Sequence, residues 1–169
     1  MSIHLYPVNS ELDYPRLAEL LRTANDEPTV LCRLQSWRVA EREPRLRWHV
    51  VAVESGGRIA GFAEVERDAD SSSGAFWIDI IVDPERRRQG IGAMLYDDVV
   101  AFAWEQGARC IGIEVRDDAL EALRFVKQRG FYVERHIRVC ASASGPFEDY
   151  YATTATAVAT GVYVLVKNL

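Results

Sequence analysis

The sequence predicts a mixed α/β fold, one mixed sheet with helices on both faces. Strand-length apolar runs alternate with segments of helical periodicity, and turn residues separate them at short intervals. Of the 169 residues, 49% are apolar, too many for an intrinsically disordered chain. This length suits a single domain over residues 1–169, which buries roughly two-thirds of the surface its unfolded form exposes and needs no metal or disulfide staple.

Taken in order, Ile3–Val8 is a short strand-like run. Ser10 with Asp13 marks a helix start, and Leu12, Leu17, Leu20, Leu21 and Ala24 recur at helical spacing. A polar cluster from Asn25 to Thr29 ends that helix, and Thr29 caps a second through Val30, Leu31, Leu34 and Trp37, which stops before Pro44. Trp48–Glu54 and Arg58–Arg67 read as strands joined by the hairpin turn Ser55-Gly56-Gly57. Asp68–Gly74 is a polar loop, and Phe76–Val82 is apolar enough for a strand covered on both faces. A charged loop, Asp83–Gly92, leads into a helix over Ala93–Gln106, closed by Gly107. Arg109–Val115 is the next strand. Asp117 or Asp118 caps a helix carrying Leu120, Leu123, Phe125 and Val126 that stops at Gly130. Phe131–Ala141 is strand-like, Phe147–Ala159 is a Thr/Ala-rich stretch of modest helix propensity, and Val162–Val166 is a last strand.

Charge and cysteine usage bound the function. Twenty Lys and Arg against 25 Asp and Glu give a net charge of −5, which argues against a broad nucleic-acid or anionic-membrane surface. Cys32, Cys110 and Cys140 are widely spaced, with no CxxC and no neighbouring histidines, so neither a disulfide framework nor a metal site is expected. The first residues lack a signal-peptide pattern, and no apolar run approaches the ~20 residues of a membrane helix. The expectation is a soluble cytoplasmic protein with no nucleic-acid and no membrane partner.

The segment from Ile80 to Leu95 carries the chemistry: a buried strand, three arginines (Arg86, Arg87, Arg88), two glycines (Gly90, Gly92), then a helix. Helix N-termini leave N–H groups unpaired and partly positive, and glycine lets an anion approach the main chain, so the pattern reads as a pyrophosphate cradle. A solvated arginine run with two turn glycines is the bland alternative. A Rossmann fingerprint would need glycine where Leu95 stands, and a P-loop would need Gly-Lys-Ser/Thr.

Val82-x-Pro84-x-x-Arg87-x-x-Gly90-x-Gly92-Ala93 resembles the acyl-CoA signature, R/Q-x-x-G-x-G/A, of the GCN5-related N-acetyltransferase (GNAT) superfamily. Ala122–Phe131 resembles its fourth helix and closing Gly-Phe, and Gly61 within Arg58–Glu64 resembles its third strand. The resemblance implies a largely antiparallel mixed sheet with splayed fourth and fifth strands. It also implies acetyl-CoA as acyl donor, with no metal, and transfer to a primary amine by direct attack in a ternary complex. The acceptor is then a small-molecule amine or a peptide N-terminus or lysine. The pyrophosphate is expected on the amides of Arg87, Arg88, Gln89, Gly90, Ile91, Gly92 and Ala93, and the pantetheine arm along the main chain of Ile80, Ile81 and Val82. The N–H of Val82 is expected to polarise the thioester carbonyl.

Two positions depart from the family pattern: Ala119 stands where many members have Asn, and Val126 where a Tyr usually protonates the departing thiolate. A positioned acid is typically worth ~10²–10⁴-fold in rate. Tyr132 and Tyr163 are the candidate substitutes, though either also reads as an ordinary strand residue. Asp79 and Glu64 are the candidate general bases, with Glu114 a third; Asp79 stands inside an apolar strand where burial favours the neutral acid, while Glu64 sits on an alternating strand that also allows it to face water. His4, His49 and His136 read as structural strand residues, and Cys110 as a packed thiol. Arg33, Arg38, Arg42, Arg45 and Arg47 form a basic stripe, read as a solvated face. Val126 and Ala119 keep a second reading open, a non-catalytic acyl-CoA-binding or regulatory module. The tail resembles the first half of tandem members, and the resemblance admits a homodimer through the last strands.

Overall fold

The computed structural model describes residues 2–25, 47–67, 74–138 and 161–169. The second predicted helix with Arg33, Arg38, Arg42 and Arg45, loop residues 68–73, the stretch 147–159, Cys32 and Cys140 lie outside the described residues. The chain divides into two compact units, Met1–Arg109 and Cys110–Leu169.

The first unit is an antiparallel sheet of β1 (Ile3–Pro7), β2 (Arg47–Glu54), β3 (Ile59–Arg67) and β4 (Ala75–Val82), paired in that order. Between β1 and β2 in sequence comes α1 (Ser10–Asn25), and after β4 comes α2 (Ile91–Glu105). α1 begins at Ser10, as the sequence predicts, and Asn9 just ahead of it acts as the cap. Its Oδ1 accepts from the N–H of Leu12, and Asp13 Oδ2 accepts from the N–H of Asn9 at 2.8 Å, a reciprocal cap that satisfies two end donors.

Side-chain alternation sends the two faces of this sheet to different helices. Val51, Phe62 and Ile81, opposite one another across β2, β3 and β4, bury against Tyr14, Leu17 and Leu21 of α1. The intervening residues Trp48, Val50 and Ala52 on β2, with Ala63 and Gly61 on β3, turn toward α2. Trp48 Nε1 donates to Asp98 Oδ2 at 2.7 Å and its ring stacks on Phe102, so this residue belongs to the strand's packing against α2. Helices thus cover both faces, as the sequence predicts. At Gly61 α2 comes close: a Cβ there would lie 2.9 Å from Leu95 Cδ1 and 3.1 Å from both Ile91 Cγ2 and the Ile81 carbonyl oxygen.

The second unit holds β5 (Cys110–Arg116), α3 (Leu120–Gln128), β6 (Tyr132–Arg138) and β7 (Gly161–Asn168). The last strand lies between β5 and β6, antiparallel to both, an insertion that sequence order does not reveal. α3 starts from Ala119 with no side-chain cap; the two aspartates predicted for that role act elsewhere. Asp117 Oδ2 accepts from the Gly161 N–H at 3.1 Å and lies 3.2 Å from His136 Nε2, tying the end of β5 to β6 and β7. Asp118 takes two hydrogen bonds from Arg116, at 2.9 and 2.8 Å, which hold its carboxyl below the ordinary aspartate value. Gly130, at φ +86°, ends α3 as predicted.

Gly61→Val should lower stability by ~1–3 kcal/mol through overpacking against α2, read as a drop in urea midpoint at unchanged slope. Gly56→Ala, where a Cβ meets nothing within 4 Å, should stay within ~0.5 kcal/mol of the parent. Equal effects at the two glycines would contradict the packing described. The Asp118–Arg116 pair contributes stability above the ordinary aspartate pKa and loses it as pH falls through the depressed folded value. Both groups are more than half exposed, so Asp118→Asn should cost less than ~1 kcal/mol near neutral pH.

Candidate donor loop and acid–base row

The chain leaves β4 through a carboxylate. Asp83 is 4% exposed; its N–H donates to the Ala60 carbonyl at 3.0 Å, its Oδ1 accepts from the Glu85 N–H at 2.9 Å, and its Oδ2 accepts from Arg58 Nη2 at 2.6 Å. These contacts fold Pro84–Arg86 into a single 3₁₀ turn. The adjacent Asp83 and, secondarily, Glu85 raise the Arg58 pKa above the ordinary arginine value.

The three arginines that follow have separate duties. Arg86 is ion-paired through its Nε with Glu54, whose side chain is 8% exposed, so this guanidinium is committed to the β2–β3 hairpin. Arg87 and Arg88 are exposed, and Arg87 Nε lies 3.4 Å from the Val82 carbonyl oxygen. Arg88 has φ +64° and Gly90 φ +85°, two left-handed residues that turn the backbone into α2. The helix begins at Ile91, two residues before its predicted start. Gly90 offers no side-chain cap, and its carbonyl takes the N–H groups of Ala93 and Met94. The amides of Ile91 and Gly92 come before the first helix-internal donor, as end amides do. Ile91 is 1% exposed, with its side chain against Gly61.

The predicted donor residues are therefore one contiguous segment: Ile80, Ile81 and Val82 on β4, then Arg87 to Ala93 at the start of α2. Ile81 is buried at 4% against α1, while Ile80 and Val82 are half-buried.

The predicted bases lie on two neighbouring strands. Glu64 of β3 stands directly opposite Asp79 of β4, and His49 of β2 directly opposite Glu64. His49 Nε2 is 3.5 Å from Glu64 Oε2, with side chains 11% and 17% exposed. Glu64 thus shares the face of Phe62 and is largely covered, which sets aside the water-facing alternative. His49 escapes a reading by sequence because its partner is 15 positions away and only strand register joins them.

In the second unit, Glu114 is exposed on β5, Tyr132 is 52% exposed on β6, and Tyr163 stacks on His136 with ring centroids 4.3 Å apart. Val126 is 2% exposed on α3. Cys110 is a half-buried free thiol at the start of β5, and His4 pairs with Ser2 at 2.8 Å.

An open groove of about 600 Å³ lies between α1, the β2–β3 turn and the 3₁₀ turn. Its cations are engaged: Arg16 donates to the Gly57 carbonyl at 3.1 Å, and Arg58 binds Asp83 and Glu85. Among the described residues, no group of three or more His, Cys, Asp or Glu is placed to hold a metal ion, and no helix is long and apolar enough to cross a membrane.

Solved structures of the same fold span nearly the whole chain. An N-acetyltransferase from Staphylococcus aureus Mu50 matches with a TM-score of 0.76 at 14% identity, covering 99% of each chain. The ribosomal-protein-S18-alanine N-acetyltransferase of Escherichia coli matches with a TM-score of 0.72 at 16% identity, over 99% of this chain and 94% of that one. A GNAT superfamily phosphinothricin acetyltransferase from Sinorhizobium meliloti, in complex with AcCoA, matches with a TM-score of 0.75 at 16% identity, over 100% and 89%. No curated protein matches this chain. At these identities the structures speak for the fold alone, but the sequence itself matches the family model described as Acetyltransferase (GNAT) family over residues 14–131. That span takes in β2 to β5, the Arg87–Ala93 turn and α3, and this chain belongs to the GNAT family of acetyltransferases, which use acetyl-CoA.

Proposed function

We propose that this chain transfers the acetyl group of acetyl-CoA to a primary amine, by direct attack of the amine in a ternary complex. The observation that carries the reading is the turn into α2. A left-handed Gly90 starts the helix without a side-chain cap, beside two exposed arginines, while Arg86 is committed to Glu54. The segment fits a pyrophosphate in charge, in its bare main chain and in its place at a helix N-terminus.

In this reading the amides of Arg87 to Gly92 hold the diphosphate, with Arg87 and Arg88 balancing its charge; the expected Ala93 amide is instead taken by the Gly90 carbonyl. The main chain of Ile80 to Val82 pairs with the extended arm of the donor, and the Val82 N–H donates toward the reacting carbonyl. Acetyl-CoA supplies the acyl carbon activated as a thioester. Glu64 and Asp79 are the carboxylates proposed to take the proton of the attacking amine. The acceptor is a small-molecule amine or a peptide N-terminus or lysine; the Escherichia coli structure of this fold, named for an alanine of a ribosomal protein, supports an amine acceptor.

A second reading, a non-catalytic acyl-CoA-binding module, is favoured by one observation. Val126 fills the family's usual acid position with a buried hydrocarbon. Turnover separates the two: CoA release with any member of an amine and peptide panel supports transfer, and binding without release across the panel supports the module.

Acetyl-CoA at ~100 times its dissociation constant should stabilise the chain by ~2.7 kcal/mol. For a chain of this size that is a melting shift of ~5–10 °C. In Gly90→Glu, a carboxylate set among the donor amides should abolish the shift while the apo melt stays cooperative. A shift that survives Gly90→Glu would contradict the donor site. The arginines should split the same way. Arg87→Ala should weaken acetyl-CoA binding about tenfold with little change in apo stability. Arg86→Ala should cost ~1–3 kcal/mol of apo stability by leaving the Glu54 carboxylate buried without its cation.

A further inference from the structure

The register of β3 against β4 fixes which main-chain groups of β4 face outward. Bonded and unbonded residue pairs alternate along an antiparallel ladder. The Asp83 N–H donates to the Ala60 carbonyl, so these two are a bonded pair, and Gly61 with Val82 beside them is an unbonded one. The N–H and carbonyl of Val82 therefore point away from β3, and those of Ile80, two residues back, do the same. The Ile81 groups point into the ladder, toward Phe62. Of the three residues proposed to pair with the donor's arm, Ile80 and Val82 turn their main chain to the outer edge.

One side chain already stands on that edge. Arg87 folds back toward the strand, and its Nε donates to the Val82 carbonyl at 3.4 Å. The three consecutive arginines are thus held in three ways. Arg86 is ion-paired with the buried Glu54. Arg87 is exposed and held by one long bond to a neutral acceptor. Arg88 is exposed at φ +64°, and among the described residues it makes no hydrogen bond or ion pair.

A single 3.4 Å bond from an exposed guanidinium to a carbonyl is weak, while a guanidinium on a phosphate oxygen pair makes charge-assisted bonds about twice as strong. The arm of an acyl-CoA carries amide N–H groups, and a ligand that adds to a strand edge takes its outward carbonyls. Arg87 and the arm therefore seek the same acceptor, and the diphosphate is what Arg87 prefers to it.

We propose that Arg87 is a positioning residue that caps the Val82 carbonyl in the empty site and yields it to the donor's arm when a diphosphate draws the guanidinium away. This assignment rests on the acetyl-CoA reading of the loop. Arg88, held by no contact, is the cation a diphosphate meets first, and Arg87 is the second. The exchange makes the site selective for donors that carry both parts. A thioester with the arm alone has to displace Arg87 with no anion to receive it. Diphosphate and arm then strengthen one another's binding by the same factor in each direction.

The test uses the full chain and three probes, CoA, S-acetylpantetheine and inorganic pyrophosphate. Binding of S-acetylpantetheine is read as the initial slope of the Val82 amide shift in ¹H–¹⁵N NMR, so saturation is not required. In the parent, saturating pyrophosphate should tighten S-acetylpantetheine about three- to tenfold, the worth of one modest hydrogen bond. Arg87→Ala should weaken CoA about tenfold, yet tighten S-acetylpantetheine alone about threefold and abolish the help from pyrophosphate. Arg88→Gly, in which glycine keeps the left-handed turn, should weaken CoA with no gain for S-acetylpantetheine. A merely structural Arg87 would move both ligands in the same direction. If Arg87→Ala loosens S-acetylpantetheine, or if pyrophosphate gives the parent no help, the exchange is overturned while the donor site stands. If CoA gives no saturable binding, the acetyl-CoA reading fails and takes the Arg87 assignment with it.

Discussion

A carboxylate that is 4% exposed sits at the end of β4, and the geometry of the donor loop depends on how it is satisfied. A buried anion is costly unless hydrogen-bonded and paired, and Asp83 receives the Glu85 amide and the Arg58 guanidinium. Its own amide is fixed to Ala60 on β3, so the carboxylate and the backbone that carries it are both anchored to the sheet. The 3₁₀ turn follows from those contacts, and the left-handed pair Arg88 and Gly90 then turns the chain into α2. Arg86 adds a second anchor at Glu54, on the same hairpin. The loop proposed to receive the diphosphate is thus pinned at its base by two ion pairs and exposed at its tip.

The same sheet serves two ends through its two faces. Toward α2 it is apolar, and Gly61 lets Leu95 and Ile91 approach until no Cβ fits without movement. That approach sets where the first turn of α2, and so its leading amides, stands over the strands. Toward α1 it grades from Phe62 and Ile81 through the His49–Glu64–Asp79 row to the Arg47–Glu66 pair. Apolar packing at one end holds the register, and register alone brings the three titratable groups into line. Donor loop and acid–base row share β4, which passes Asp79 to one face and continues through Ile80–Val82 into the loop.

Much of this was legible in the sequence where the cause is local. The glycine and arginine spacing of Arg87–Ala93 names its own backbone requirement, and Gly90 does adopt the left-handed conformation. Gly130 stops α3 for the same reason. What escaped depends on residues far apart along the chain. Arg86 looked like part of a cationic cluster until Glu54, 32 positions away, claimed it. The two aspartates before α3 looked like caps, yet one reaches Gly161, 44 positions on, and the other turns back to Arg116. His49 looked structural because neither its register with Glu64 nor the cover over that face can be read from residue types. The insertion of β7 between β5 and β6 is likewise a matter of pairing that no local pattern encodes.

The claim at the centre is that the turn into α2 receives the diphosphate of an acyl-CoA on its main chain. The most direct measurement is an amide map of the full chain by ¹H–¹⁵N NMR as CoA is added. Saturable shifts should be largest at the amides of Arg88 to Ala93, with the Val82 amide following and the Arg58 and Glu54 amides little changed. Saturable shifts centred elsewhere, with the Arg88–Ala93 amides unmoved, would contradict it.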